Sequence, residues 1–134
     1  MSEGAGRRAL RLTLAAVFML DGVLHWTATD VFAAITPAWA GDARLVVQAT
    51  GVLAFLGGAG LLLRRVRRAA GIGLALYCVG VYPANVHHAL ANVAVHGATL
   101  GWVYHGPRLL LQPGFVWACL WAGGAIDWPL RRPV

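Results

Sequence analysis

Asp21 is the residue of this sequence most able to do chemistry and the hardest to accommodate, because it interrupts an apolar segment. It lies ten residues after Arg11, or about 15 Å further along a helix. An ionised aspartate at that depth in a bilayer costs about 2.5–3.5 kcal/mol on insertion scales. We therefore expect Asp21 to face other helices, with His25 one turn away on the same face. Such a pair either supplies a titrating group or only satisfies its own hydrogen bonds and fixes helix packing.

A second group of polar residues is expected in the same layer. Asn85 follows Pro83, where a kinked helix leaves backbone groups that the Asn85 amide can satisfy. Arg108 and Gln112 lie one turn apart. The Arg108 side chain can extend outward to lipid headgroups or inward to Asp21, and we favour the inward direction. The sequence then predicts a polar pocket that opens outward, has Asp21 at its floor and is lined by Asp21, His25, Asn85, Arg108 and Gln112.

Histidine and cysteine give weaker signals. The histidines show no HExxH or other metal-ligand spacing, so ordinary hydrogen bonding is favoured over a metal site; they are His25, His87, His88, His96 and His105. Cys78 and Cys119 are expected at similar depth near the membrane midplane, without a CxxC motif. An apolar setting blunts thiol reactivity, so both are interpreted as small buried apolar residues, and their redox activity is left open. The sequence predicts neither a metal ion nor a catalytic residue.

The elements that position these residues follow from apolar composition and arginine placement. The 134 residues are 59% hydrophobic and 12% charged, with a mean hydropathy of +0.66. Nine of eleven arginines form three clusters: Arg7, Arg8 and Arg11; Arg64, Arg65, Arg67 and Arg68; Arg131 and Arg132. Cytoplasmic loops carry the Arg excess. The sequence therefore predicts an all-α, four-helix transmembrane bundle with cytoplasmic termini, its helices at about 9–26, 44–63, 69–88 and 107–126.

These helices are expected to form a single domain over residues 1–134, in the bacterial cytoplasmic (inner) membrane. The net charge of +6 is assigned to topology and lipid headgroups, not to nucleic acid. The first apolar segment is expected to stay as a helix and not to be cleaved as a signal peptide. Residues 89–106 are predicted to be interfacial or partly helical. Small residues at four-residue spacing predict close packing of the middle helices; they are Thr50, Ala54 and Gly58, Ala69 and Gly73, and Gly80 and Ala84.

The chain resembles the DoxX-like family of small bacterial membrane proteins from the first helix to the last. The residues that carry this resemblance are Gly22 to Trp26, Thr36-Pro37, Gly51, Gly57 to Leu61, Arg68-Ala69-Ala70, Tyr82-Pro83-Ala84-Asn85, and Arg108-Leu109 with Gln112. Two positions depart from the family pattern: Ala54, where a Glu is common, and Leu110, where a Pro is expected. The resemblance implies a four-helix membrane bundle. It also implies quinone-coupled oxidation of sulfur compounds, or redox maturation of partners, as in related proteins.

Three functions are compatible with these residues. The first is an accessory subunit of a quinone-linked membrane redox system, with a quinone as candidate cofactor and a membrane or periplasmic redox protein as partner. The second is a structural or assembly protein, which a homo-oligomer would also fit, whose polar contacts only specify packing. The third, ranked lower, is a small proton-linked transporter in which Asp21 titrates. A stand-alone enzyme is not favoured, because no nucleophile or metal constellation is evident.

Overall fold

The apolar segments form long helices, as expected where a backbone must satisfy its own hydrogen bonds. The computed structural model describes residues 4–128, and the predicted all-α class is confirmed. The described helices are α1 (Ala5–Thr27), α2 (Thr29–Ala34), α3 (Ala43–Leu62), α4 (Arg67–Ala91) and α5 (Gly101–Gly123), with one 3-10 turn at Ala38–Ala40. The predicted Arg131–Arg132 cluster lies outside the described residues.

Three of these helices, α1, α3 and α4, are long and apolar enough to cross a membrane, which indicates a membrane protein. The fourth long helix, α5, is not among them. It holds Pro107 and Pro113 and starts about six residues before the predicted boundary. Residues 92–100 form the loop between α4 and α5, so the predicted partly helical segment 89–106 divides between two helix ends and a loop.

Local signals explain the helix boundaries. The side chain of Asp42 accepts a hydrogen bond from the Leu45 amide at 3.1 Å and caps α3. Asn92 adopts a left-handed conformation, with φ of 48°, and ends α4. Helix α4 continues through Pro83, so the predicted kink does not end the helix. The short helix α2, which the sequence analysis does not predict, lies between α1 and Pro37.

Helices α1 and α3 approach each other backbone to backbone. A Cβ atom added at Gly22 would lie 2.5 Å from the carbonyl oxygen of Gly51, and one added at Gly58 would lie 2.8 Å from the carbonyl oxygen of Ala15. Such distances leave no room for a side chain, so glycine is required for this contact. The central apolar cluster continues from this contact across the bundle to α4 and α5; it includes Leu14, Phe18, Ala54, Leu61, Leu74, Cys78, Cys119 and Ala122.

Helices α4 and α5 make a similar contact at the other side of the bundle. An added Cβ at Gly71 would lie 2.6 Å from the Cys119 carbonyl oxygen and 2.8 Å from the Cα of Gly123. The start of α4 therefore lies beside the end of α5. Arg7, at the start of α1, forms an ion pair with Asp127 and donates to the Ile126 carbonyl just beyond α5. One end of the bundle thus gathers the start of α1, the α3–α4 turn and the end of α5.

The predicted close packing of small residues on the two middle helices is right for α3 but not for two glycines of α4. Ala54 and Gly58 of α3 are buried in the bundle, as expected. Gly73 and Gly80 of α4 are exposed, and an added Cβ at either position would meet no atom within 4 Å. Residues 71 and 73 are separated by about 200° around a helix. Because Gly71 faces α5, Gly73 must face away from it.

Candidate functional site

All five residues of the predicted pocket line one cavity in the half of the bundle away from the α3–α4 turn. The cavity has a volume of about 440 Å³. Its lining residues come from α1, α3, α4 and α5, and from the segment between α1 and α3, which contributes Phe32, Ile35, Pro37 and Trp39. The structure therefore brings together side chains that are far apart in sequence; those predicted were Asp21, His25, Asn85, Arg108 and Gln112.

Asp21 is joined to α4 through a residue that the sequence analysis did not single out. The hydroxyl of Tyr77 donates to Oδ2 of Asp21 at 2.7 Å. The Tyr77 ring also meets Phe18 edge to face, with centroids 5.9 Å apart. The Asp21 side chain is 31% exposed and lines the cavity, so it is held against α4 while remaining open to a ligand.

His25 is fixed in one orientation by α1 and α2. Its Nδ1 lies 2.8 Å from the backbone carbonyl oxygen of Asp21 and 3.6 Å from the Asp21 carboxylate. A carbonyl oxygen can only accept, so Nδ1 carries the proton, and Nε2 of the neutral ring is a hydrogen-bond acceptor. The ring stacks on Phe32 at a centroid distance of 4.0 Å. The expected Asp21–His25 contact is thus made mainly through the Asp21 backbone.

Arg108 extends inward, but it does not reach Asp21. Its guanidinium donates to the side-chain oxygen of Asn85 and to Nδ1 of His88, the second at 3.1 Å. His88 in turn donates from Nε2 to the Val93 carbonyl oxygen at 3.2 Å. Asn85 and His88 are both buried. The bonds among Arg108, Asn85 and His88 therefore connect the first half of α5 with the end of α4. The side chain that bonds to the Asp21 carboxylate is Tyr77.

Gln112, and not Asn85, bonds to the backbone near Pro83. Its Nε2 donates to the Cys78 carbonyl oxygen at 2.7 Å, one residue before Val79, whose carbonyl loses its helical partner because Pro83 has no N–H. The Gln112 amide carries two N–H donors, and one of them is used in this bond. The second remains for a ligand in the cavity that Gln112 lines.

The remaining histidines and the cysteines do not form a metal site. His105 is 2% exposed, packs against His88 at a centroid distance of 4.6 Å, and has no hydrogen-bond partner for either ring nitrogen among the described residues. Within residues 4–128, no three His, Cys, Asp or Glu side chains are grouped to hold a metal ion. Cys78 and Cys119 are free thiols buried in the apolar cluster, and Cys78 also lines the cavity.

The sequence analysis did not predict the roles of two residues, Tyr77 as the partner of Asp21 and His88 as a partner of Arg108. Each had a detectable signal. A tyrosine hydroxyl in an apolar helix needs a partner, and Asp21 was the one deep carboxylate available to it. His88 lies three residues after Asn85 on the same helix face, so a cation that reaches one can reach the other.

Donors and acceptors are separated across the cavity. Arg108 and Gln112 supply N–H donors from α5, while the Asp21 carboxylate and Nε2 of His25 are acceptors on α1. The walls between them are aliphatic or aromatic, as at Ile35, Val47 and Val81. An apolar cavity with a few converging polar groups is typical of a small-molecule site. Fold and cavity together define a helical membrane bundle with an internal polar cavity.

The family model "Domain of unknown function (DUF8561)" matches residues 14–122, and the chain belongs to this family. The DoxX-like assignment made from the motifs is wrong, since the matching family is a different one. Several of those motif residues have structural roles: Gly22 and Gly51 allow the α1–α3 contact, and Asn85 and Arg108 bond to each other. Such features suit any packed membrane bundle. Comparison with curated proteins and with solved structures finds no match.

Proposed function

We propose that this protein binds the polar head of a small membrane-soluble molecule in the cavity, and that a quinone is the class of head that fits it best. The observation that carries this proposal is the convergence of donors from α5 and acceptors from α1 on one cavity of about 440 Å³. A quinone ring is flat and apolar and has oxygens at opposite edges. Its carbonyls can accept from Arg108 or Gln112, and the hydroxyls of the reduced form can donate to Asp21 or His25.

The proposed topology has α5 crossing the membrane with α1, α3 and α4, and both termini in the cytoplasm of a bacterial cell. Seven of the nine arginines in residues 4–128 lie at the start of α1 or around the α3–α4 turn. Arg44, at the start of α3, and Arg108, in the first half of α5, lie toward the other side of the bundle. The Arg7–Asp127 ion pair holds the start of α1 and the segment that follows α5 together on the arginine-rich side. The positive-inside rule then makes that side cytoplasmic and places the cavity in the outer half of the membrane.

The cellular role that this binding would serve is that of an accessory subunit in a quinone-linked redox system. Its support is the cavity alone, since the resemblance that suggested redox chemistry is wrong. Purification of the complex from its native membrane tests the role. We expect a redox protein and a quinone to co-purify with the wild type and the quinone to be lost from the Gln112→Leu variant. Purification of the wild-type protein without a redox protein and without a quinone would contradict this role.

Binding itself is tested with a tail-free benzoquinone titrated into the purified protein by calorimetry. We expect saturable binding to the wild type and a loss of about tenfold in Gln112→Leu, which removes the amide but keeps a side chain of similar size. Arg44→Ala provides the control, because Arg44 is exposed and pairs with Asp30 outside the cavity. Equal binding to wild type and Gln112→Leu, or none to the wild type, would refute the proposal.

A purely structural role is the second candidate, and a specific observation favours it. Every side-chain bond described above in the cavity wall from Tyr77, Arg108 and Gln112 joins two helices: α4 to α1, or α5 to α4. Such bonds contribute about 0.6 kcal/mol each on average in membrane bundles. Under this alternative, substitutions at these residues lower the unfolding temperature while every ligand assay with the wild type is negative.

A further inference from the structure

A second, apolar depression lies beside the polar cavity. It runs between α3 and α4 on the outer surface of the bundle and has a volume of about 600 Å³. We call it the α3–α4 groove. From Ala69 to Val81 on α4 it extends about 18 Å at helical rise. Its walls are aliphatic side chains and glycines, and Tyr77 and Thr50 are the only hydroxyl-bearing residues among the lining.

The groove and the polar cavity lie next to each other and share part of their lining. Four residues line both: Thr50, Tyr77, Gly80 and Val81. Tyr77 marks the boundary, since its hydroxyl is bonded to Asp21 on the cavity side while the same residue also lines the groove. The Thr50 hydroxyl donates to the Val46 carbonyl oxygen of its own helix at 2.8 Å. Neither hydroxyl is therefore left without a partner beside the groove.

The α4 side of the groove is open at two glycines. Gly73 and Gly80 are exposed, and an added Cβ at either would meet nothing within 4 Å. On the facing side, the Leu74 side chain lies against Gly57, where an added Cβ would be 2.5 Å from a Leu74 methyl. Leu74 itself is buried in the apolar cluster and separates α3 from α4 at this level. The small residues leave the groove beside it open.

We infer that the ligand of the polar cavity is an amphiphile whose single apolar tail lies in the α3–α4 groove. This inference rests on the proposed function, since the polar head is the one assigned to the cavity. The adjoining cavity and groove suit one molecule with a compact hydrogen-bonding head and a flexible apolar chain. In the proposed topology, the groove runs from the outer-half cavity toward the middle of the membrane and the cytoplasmic turn. A membrane-soluble quinone with a long tail has this form and this orientation.

The tail is held by shape and not by the hydrophobic effect, because lipid chains are as apolar as the groove. Occupying the groove with protein should therefore weaken binding of a tailed ligand and leave a tail-free head unaffected. Gly73 lies in the groove and outside the polar cavity, and a Cβ added there meets no atom of the protein within 4 Å. Gly73→Leu is thus expected to fold and to fill the groove.

The experiment compares a tail-free benzoquinone with the same head carrying a decyl tail, each titrated into wild type and Gly73→Leu in matched lipid nanodiscs. Gly114→Leu is the control: Gly114 lies exposed on α5, has equal space, and lines neither the cavity nor the groove. We expect Gly73→Leu to lose about tenfold in affinity for the tailed compound, with the tail-free compound and the Gly114→Leu variant unchanged.

The outcomes separate the two claims. If the wild type binds the tail-free head and Gly73→Leu binds the tailed compound as well as the wild type does, ordinary bilayer lipid fills the groove and only the tail assignment is overturned. If neither compound binds the wild type, the proposed function fails as well. A photoreactive group at the end of the tail gives an independent reading. It should label residues 53–60 of α3 and 69–76 of α4, whereas labelling spread over the exposed face of α5 would overturn the inference.

Discussion

The two contacts that α3 makes with its neighbouring long helices are built in opposite ways. Against α1, glycines bring two backbones together, so that an added Cβ at Gly22 would lie 2.5 Å from the Gly51 carbonyl oxygen. Against α4, the helices come close beside the α3–α4 turn, where an added Cβ at Gly60 would lie 2.8 Å from the Cβ of Ala70. Further from the turn, the Leu74 side chain stands between the helices, and Gly73 and Gly80 face open space. The first contact is closed, and the second opens into a groove. Small residues at helical spacing thus permit close approach but do not determine where it occurs.

On the side of the bundle where α3 and α4 are separated by the groove, side-chain hydrogen bonds connect α4 to the other helices. Tyr77 on α4 reaches past the groove to Asp21 on α1, and Arg108 on α5 bonds to Asn85 on α4. The cavity lies among these bonds, next to the groove. A bundle packed as tightly between α3 and α4 as between α1 and α3 would have no room for either. The loosely packed part of the bundle is therefore also the part that holds the residues able to bind a ligand.

The largest effect is expected from filling the closed contact. Gly22→Leu places a side chain against the backbone of α3 and should reduce the free energy of unfolding by about 3 kcal/mol or more. Gly73→Leu, in the open groove, should change it by less than about 0.5 kcal/mol. Unfolding of both variants in detergent, followed by circular dichroism, measures this difference. Equal destabilisation would show that the groove is not open.

Removal of Arg108 is expected to have the next largest effect. Arg108→Ala leaves Asn85 and His88 buried without their shared partner, which should cost about 1–3 kcal/mol. Arg44→Ala breaks only an exposed ion pair with Asp30 and should cost less than about 1 kcal/mol. Thermal unfolding of the two variants gives the ranking. A larger loss in Arg44→Ala would contradict the inward position of Arg108.

The Asp21–Tyr77 bond should show a smaller but specific coupling. Single variants Asp21→Asn and Tyr77→Phe, together with the double variant, form a double-mutant cycle. We expect a coupling energy of about 1 kcal/mol, within the range for bonds between membrane helices. The matched pair Asp21→Asn and Tyr104→Phe, which share no bond, should be additive. Additive effects in both cycles would mean that Tyr77 does not hold Asp21.

The last comparison concerns two glycines on one helix, and the smallest change is expected at Gly73. Gly71→Ala places a Cβ 2.6 Å from the Cys119 carbonyl oxygen and should destabilise the bundle by about 1–3 kcal/mol. Gly73→Ala meets no atom and should be neutral or stabilising by up to about 1 kcal/mol, because alanine favours helix. The unfolding temperatures of the two variants, compared with the wild type, show whether each substitution stabilises or destabilises the bundle. Destabilisation by Gly73→Ala would place another helix or a second copy against the groove.

The sequence was sufficient for the three long apolar helices α1, α3 and α4, but not for the short helix α2 or the start of α5, nor for the rotation of the helices about their axes. Apolar length and arginine clusters predict where long helices run, because lipid forces each segment to satisfy its own backbone. The cost of Asp21 and the reach of Arg108 predict that both turn inward. The partner of Asp21 depends on which face of α4 meets α1, and the spacing of small residues is ambiguous about this. That ambiguity explains why Gly73 was expected to pack and Gly71 was overlooked.

The most direct measurement of the central claim is photolabelling of the protein in its native membrane with an azido-substituted benzoquinone head, followed by mapping of the labelled residues. The account predicts labelling of the cavity wall, at Val47, Thr50, Tyr77 or Val81, with protection by excess unlabelled quinone and loss in the Gln112→Leu variant. Label that is distributed over exposed residues of α5 such as Val103 and Leu110, and that excess quinone does not reduce, would contradict it.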